Sequence, residues 1–374
     1  MRHIVALLVA GQMAFGCESV TLLWSLPAKA DPLFRFEEGD KVGFIDVKGE
    51  VVIRPTLKPQ VDGAFFSGML SLGSSSGPFL DMTGQTIPFE GFYRVWNFDD
   101  GLAAALQTSG KAPWGYVDRS GKWAISPRFP SYPAGLVSDF SEGLAAVETE
   151  GKVGYIDQSG QFVIQQQFAL GAKFEQGVAR VVVAGPCRYY SRDVCDGLGS
   201  APGTGPSRLN RQERPECRWS FIDSSGKPLF PGDFDDALDF HDGLAAVNRA
   251  GKWGYIDKRG TFVINPRFDS AESFSEGMAW VNDGGTGGYV DTNGQMQFMA
   301  KHGGAFSAGR TFVTDSENGY IYVDKTGRQV IPERFALAGD FRYGLAHVKL
   351  SGKNDAFAYI DVTGKHLFSY RGRM

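Results

Sequence analysis

The sequence predicts an all-β fold, a tandem repeat of about nine short three-stranded antiparallel units, and three observations predict it. A phrase of aromatic, aliphatic and Asp, with Gly three positions after the Asp, recurs around Asp46, Asp81, Asp118, Asp157, Asp223, Asp257, Asp291, Asp324 and Asp361. Most copies lie 33 to 39 residues apart, a period that belongs to repeat architectures. The 49 glycines suit a chain full of turns rather than helices.

One well-formed unit shows the elements in order. A strand at Leu244-Ala245-Ala246-Val247 follows Phe240-His241-Asp242-Gly243. A tight turn at Ala250-Gly251 leads to the middle strand Trp253-Gly254-Tyr255-Ile256-Asp257, and a second turn ending at Gly260 leads to Thr261-Phe262-Val263-Ile264. Asp at the start of this turn caps backbone N–H groups, and Gly supplies the left-handed residue that closes the hairpin. The nine aspartates are therefore read as turn chemistry, because calcium needs several oxygen ligands close together and each loop offers one carboxylate.

The residue two before each Asp is aromatic: Phe44, Phe79, Tyr116, Tyr155, Phe221, Tyr255, Tyr289, Tyr322 and Tyr359. The residue just before each Asp is Ile, Leu or Val. Both faces of the middle strand are thus apolar and must be covered, with neighbouring units as the cover. Gly43, Gly115, Gly154, Gly254 and Gly288 are expected to let a neighbour's ring approach the backbone. Connectors such as Ile264-Asn265-Pro266-Arg267-Phe268 are expected to end the third strand at proline. A Phe-x-x-Gly element returns at Phe66 (one residue short), Phe98, Phe140, Phe174, Phe240, Phe274, Phe306 and Phe341, its Phe expected to plug the core between units.

Trp114-Gly115-Tyr116-Val117-Asp118 and Lys252-Trp253-Gly254-Tyr255-Ile256-Asp257, each after a Phe-x-x-Gly-Leu-Ala strand, resemble the WG-repeat (KWG repeat) family of bacterial proteins. The resemblance covers roughly residues 33–370, although Trp-Gly itself survives only at those two places. It implies a binding or scaffold repeat and carries no catalytic residues. Two arrangements fit such units. An open solenoid or superhelix is favoured, because the units are shorter than four-stranded blades and each chain end completes its own unit. The alternative is a closed β-propeller, which a fourth strand from the connector would favour.

Residues 1–30 read as a signal peptide. Arg2 precedes apolar Ile4 to Val9 and Val20 to Leu26, and Ala28-Lys29-Ala30 forms a small-x-small cleavage site before Asp31. Gln12 and Glu18 interrupt the apolar stretch, so no transmembrane segment is expected in the mature chain. Residues 31–374 form the repeat domain, and the expected location is periplasmic, cell-surface or extracellular.

Asp157 and Asp223 stand 66 residues apart, about twice the period. The surplus is an inserted loop at 185–217, where other units have a tight turn. Long loops on a rigid scaffold are where function tends to reside. Arg188, Tyr189, Tyr190, Arg192, Arg208, Arg211 and Arg214 make it the candidate interaction loop, suited to a glycan, a peptide or an anionic polymer. Cys187, Cys195 and Cys217 are the cysteines left after the leader, with Cys187–Cys217 the favoured disulfide and Cys187–Cys195 the alternative.

A formal charge of −4 makes no case for nucleic acid. The sequence holds no nucleophile elbow, phosphate loop or metal-ligand pattern, so no catalytic residue, cofactor or metal is assigned. The leading reading is a non-catalytic binding or scaffold protein of the cell envelope, with a protein or cell-wall glycan as partner. The alternative is an envelope hydrolase acting on glycan with carboxylates from different repeats.

Overall fold

Each of the nine repeated aspartates closes a hairpin. Asp257 Oδ1 accepts the backbone N–H groups of Arg259 and Thr261 at 2.9 Å each, and Gly260 N–H donates to the Asp257 carbonyl at 2.9 Å. The same three bonds form at Asp46, Asp81, Asp118, Asp157, Asp223, Asp291, Asp324 and Asp361. Gly260 has φ of 78°, where a Cβ would be strained.

These details come from a computed structural model that describes residues 32–58, 65, 68–72, 78–108, 112–130, 137–184, 217–314, 319–352 and 356–372. All of them belong to the unit Asp31–Met374. Every element is a strand, and the strands fall into nine successive repeat units: 34–57, 69–87, 94–129, 137–168, 170–234, 236–268, 270–299, 303–331 and 335–371, here units 1 to 9.

In unit 6 the strands Asp236–Ala237, Leu244–Arg249, Lys252–Asp257 and Phe262–Phe268 lie side by side in that order, all antiparallel. Units 3 and 7 form sheets of the same four-stranded order. The expected three-stranded unit thus gains a short fourth strand. Connector residues pair with the free edge of the first strand, as Ala237 does with Val247.

Two local expectations are corrected. The third strand does not end at proline. It runs from Phe262 to Phe268 through Pro266 as a bulge, with Tyr255 opposite Ile264 but Trp253 opposite Phe268. That bulge explains the middle-strand glycines. A Cβ on Gly254 would lie 2.5 Å from the Ile264 carbonyl oxygen and 2.7 Å from Pro266 N, so the space is taken by the unit's own backbone rather than a neighbour's ring. Gly115 meets Ile125 and Pro127 in the same way.

Units cover one another face to face. Tyr155 faces unit 5 with Leu144 and Ala146, while Ile156 faces unit 3 with Ala145 and Val147. In each joint an aromatic of the following unit packs on the middle-strand aromatic of the one before. The pairs are Phe44–Phe65, Phe79–Phe98, Tyr116–Phe140, Tyr155–Phe174, Phe221–Phe240, Tyr255–Phe274, Tyr289–Phe306 and Tyr322–Phe341, with centroids 4.6 to 5.3 Å apart. Phe65, not Phe66, therefore heads the element ending at Gly68, which is a regular Phe-x-x-Gly; Phe66 lies outside the described residues.

The cycle of joints closes. Unit 9 buries Leu345 and Tyr359 against Phe36 and Ile45 of unit 1, and Phe34 packs on Tyr359 at 5.5 Å as the counterpart of the plugs above. The core divides into nine clusters among the described residues, one for each joint including this last one. Of the two arrangements the sequence allows, these contacts are those of the propeller-like ring.

Hydroxyls mark the joints as well. Tyr116, Tyr155, Tyr255, Tyr289 and Tyr322 donate to the carbonyls of Ser138, Ala172, Glu272, Gly304 and Gly339, each in the next unit, at 2.7 to 2.8 Å. Tyr359 donates to Arg35 of unit 1 at 2.6 Å. In unit 4 the carbonyl of Ala146 accepts the N–H of Ser138 in the added inner segment. Arg35 is the counterpart of Ala146 in unit 1, where no such segment is described, so Tyr359 bonds the first strand directly. Replacing Tyr359 by Phe should lower stability by about 0.5–1.5 kcal/mol in urea denaturation, as Tyr322→Phe should, because each removes one inter-unit hydrogen bond. A silent Tyr359→Phe beside a destabilising Tyr322→Phe would contradict closure.

Candidate functional site

The acids divide into those used by the fold and those left over. The turn aspartates are used, and their hydrogen bonds outweigh partial burial to hold Asp81, Asp118, Asp157, Asp223, Asp257, Asp324 and Asp361 below the ordinary carboxylate range. A second set latches neighbouring units. Asp100, Glu142 and Asp242 accept the N–H of Gly143, Gly177 and Gly277, each one unit on, at 2.7 to 2.8 Å. Glu276 takes both Ala308 and Gly309 N–H. The four acids have φ of 45° to 54°, held left-handed in the Phe-x-x-Gly turn.

Four further acids, Asp99, Asp139, Glu272 and Asp340, stand within two residues of the buried Phe of the same element, and burial raises each of them. Asp99 in unit 3 feels Lys173 and Glu175 of unit 5, and Glu272 in unit 7 feels Asp340 of unit 9. Charges two units apart interact only where the units converge. Burial, then the Asp100 charge, raises Asp99. Burial, then the Asp99 charge, pushes Asp139 up to about 7 against the opposing Lys173 ammonium. Asp139 as a residue keeps partial exposure, yet its Oδ1 is closed to solvent and meets no donor. Asp340 repeats the pattern, pushed up to about 6 by burial, with its Oδ1 likewise unpartnered.

The third feature is the base of the insertion. It leaves unit 5 after Val178–Ala184 and returns at Arg218–Asp223. Arg180 bonds Asp239 Oδ1 at 2.8 Å and lies 5.2 Å over the Trp219 ring. Arg218 pairs with Asp235, which also accepts the Ala250 N–H at 2.6 Å. Arg249 lies over Phe234 and Phe262, 5.2 and 5.1 Å from their centroids. The base is thus a lattice of arginines and aromatics joining units 5 and 6. Arg188, Tyr189, Tyr190, Arg192, Arg208, Arg211, Arg214 and Cys187 lie outside the described residues. Cys217, at the returning edge, is not a free thiol.

Among the described residues the histidines do not gather. His241 lies 3.6 Å from Glu175, His366 bonds Glu333 at 2.7 Å, His302 stacks on Trp280, and His347 shares a 2.8 Å hydrogen bond with Tyr370. Among the described residues no group of three or more His, Cys, Asp or Glu side chains is placed to hold a metal ion. Among them no helix is long and apolar enough to cross a membrane.

The sequence reading missed the inner acids and the latch. Their signal is the polar residues within and beside Phe-x-x-Gly, such as Asp139 and Glu142, which stand next to a phenylalanine that must be buried.

Comparison with known proteins follows the repeat. The profile described as "WG containing repeat" matches residues 114–152, 154–185, 219–253, 253–286 and 322–353. No curated protein matches the chain by sequence. A solved eukaryotic initiation factor is similar in structure at 9% identity, TM-score 0.60, over 92% of this chain and 96% of that one, a likeness of fold alone. BamB from Moraxella catarrhalis matches at 13% identity and TM-score 0.41, over 89% of this chain and 98% of its own. The WD40 β-propeller domain of Doa1 matches at 12% identity and TM-score 0.31, over 69% and 88%.

Replacing Asp139 by Asn tests the inner acids. A carboxyl raised from about 4 to about 7 by folding contributes stability while it is protonated, and that contribution declines as pH rises from about 4 through 7. Asp139→Asn should therefore melt higher than wild type at pH 8 and show a flatter pH dependence, and parallel melting curves from pH 4 to 8 would contradict the assignment.

Proposed function

The chain belongs to the WG-containing repeat family, and from that premise we propose that it is an exported, non-catalytic scaffold that binds a protein or cell-wall glycan through the insertion in unit 5. One observation carries the reading. The repeat is interrupted in a single hairpin, and the neighbouring described residues are an arginine–aromatic lattice: Arg180 on Trp219, Arg218 with Asp235, and Arg249 on two rings. Guanidinium groups held on rings keep their outward N–H donors in fixed directions, which suits hydroxyl-rich or anionic partners. The insertion carries Arg188, Arg192, Arg208, Arg211 and Arg214 with Tyr189 and Tyr190 in its sequence.

Export supports the envelope location. The leader reads as cleavable after Ala30, and a Cys187–Cys217 disulfide across the base of the insertion fits an oxidising compartment. A non-catalytic role accords with the use of the turn and latch carboxylates by the backbone.

Purified protein should be retained by cell-wall or envelope-protein fractions, and deletion of residues 186–216 should abolish retention while circular dichroism stays unchanged. Retention that survives the deletion would contradict the role of the insertion. Mass spectrometry of protein recovered from the envelope should find Asp31 as the first residue; an intact leader would contradict cleavage.

A further inference from the structure

We propose that the Phe-x-x-Gly turn of unit 9 binds an acidic side chain of a partner protein, its carboxylate seated on the backbone N–H groups of Tyr343 and Gly344 beside the guanidinium of Arg310. The site lies away from the insertion and does not depend on it. The insertion joins strand ends at Ala184 and Arg218, whereas this turn heads the opposite end of its sheet, where Leu345 pairs with Asp361.

The chain supplies its own template. In four joints a carboxylate on the turn of one unit accepts N–H groups from the turn of the next, at 2.7 to 2.8 Å. Glu276 is the fullest case, with Oε1 on Ala308 N–H and Oε2 on Gly309 N–H. Successive N–H groups turned to one side form a seat for an anion. Tyr343 and Gly344 keep the shape of that seat, with φ of 52° and 87° against 53° and 75° for Ala308 and Gly309. The flanking bond is also the same: Arg342 N–H donates to Leu345 at 2.8 Å, as Ser307 N–H does to Arg310 at 2.9 Å. The acid is what differs. The latch position of unit 8 is Ala308, which has no carboxylate to offer. Among the described residues neither the Tyr343 nor the Gly344 N–H donates a hydrogen bond.

Charge changes at the same joint. After the latching acids and their glycines come Leu102, Leu144, Leu244 and Met278, but in unit 8 this position is Arg310. Arg310 Nε donates to the Ala308 carbonyl at 3.1 Å, and its Cζ lies 5.9 Å from the centroid of Phe341 in unit 9. These contacts hold the guanidinium between the acid-free latch position and the turn of unit 9. Its Nη1 and Nη2 make no hydrogen bond among the described residues, so donors remain for a carboxylate. The joint between units 5 and 6 also lacks the acid, at Gln176, but there the following side chain is the aliphatic Val178. Asp340 and Arg342, on the turn of unit 9, offset each other in charge, which leaves Arg310 as the counter-ion.

Tyr343 points to a protein as the source of the carboxylate. Its side chain is 64% exposed, the most exposed large hydrophobic among the described residues, and its own N–H is part of the seat. Tyrosine and arginine side by side are the residue types that concentrate binding energy at protein interfaces.

Nuclear magnetic resonance reads the seat directly. Isotopic labelling of tyrosine nitrogens in the mature protein gives a sparse amide spectrum, because the chain has 13 tyrosines, and Tyr343→Phe identifies the Tyr343 signal. A hexaglutamate peptide should move that amide proton downfield, and hexaglutamine should not. Arg310→Met, which copies Met278, should weaken the response about tenfold. Ala308→Glu should rebuild the latch seen at Glu276: the Tyr343 amide should stand downfield without peptide, the peptide should cause no further shift, and the melting temperature should rise. A rise in melting temperature excludes misfolding as the cause of lost binding. No shift with hexaglutamate, a shift that persists in Ala308→Glu, or equal affinity in Arg310→Met would overturn the proposal. A response to glutarate or inorganic phosphate as strong as that to hexaglutamate would assign the seat to free anions and overturn the protein partner.

Discussion

The structure depends on one contact made again at every joint, an aromatic ring of one unit seated on the middle-strand aromatic of the unit before it. Full burial of one such side chain is worth about 1.5–3 kcal/mol, and the edge-to-face pairing adds about 0.5–1.5 kcal/mol. Every middle strand is apolar on both faces, so no unit is suited to stand at an end. An open stack would leave the faces of Phe36 and Ile45 at one end and Leu345 and Tyr359 at the other in water. Joining them removes both exposed faces, and Phe34 on Tyr359 completes the series.

The Asp–Gly turn serves the same joints. Its glycine closes the hairpin, and it also rests against the preceding unit. A Cβ on Gly294 would meet Ile264 at 3.0 Å, and one on Gly49 would come 2.9 Å from the Leu367 carbonyl oxygen across the closing joint. The repeated Asp is therefore local turn chemistry, while the repeated Gly is both local and inter-unit. Asp139 and Asp340 have no such duty, and each keeps an enclosed carboxylate oxygen without a donor among the described residues.

Much of this was legible in the sequence, because the repeat displays its own grammar. The nine turns, the two-faced middle strand and the buried Phe of Phe-x-x-Gly follow from residue spacing alone. Closure did not, because nothing in the spacing of Phe34 or Tyr359 says that residues more than three hundred apart should touch; solvent exposure of the end faces decides it. The glycines before the middle-strand aromatic were assigned to the wrong neighbour, since a bulge at Pro127 or Pro266 is invisible until the register is known. Phe65 was passed over for Phe66 because two adjacent phenylalanines offer two frames, and only packing against Phe44 selects one. Asp99 and Asp139 belong to no motif that the sequence singles out, and only their place beside Phe98 and Phe140 signals their burial.

A distance between the two ends tests closure most directly. Spin labels on cysteines introduced at Lys48 and Lys365, in protein whose other cysteines are replaced, report it by pulsed electron resonance. Gly49 lies against Leu367 in the closing joint, so the labels should sit at the short limit of the method, within about 25 Å given the reach of two label side chains. Nine units stacked openly at about 10 Å spacing would put them about 80 Å apart. A single short-distance population supports the ring, and a distribution centred beyond about 50 Å would contradict it.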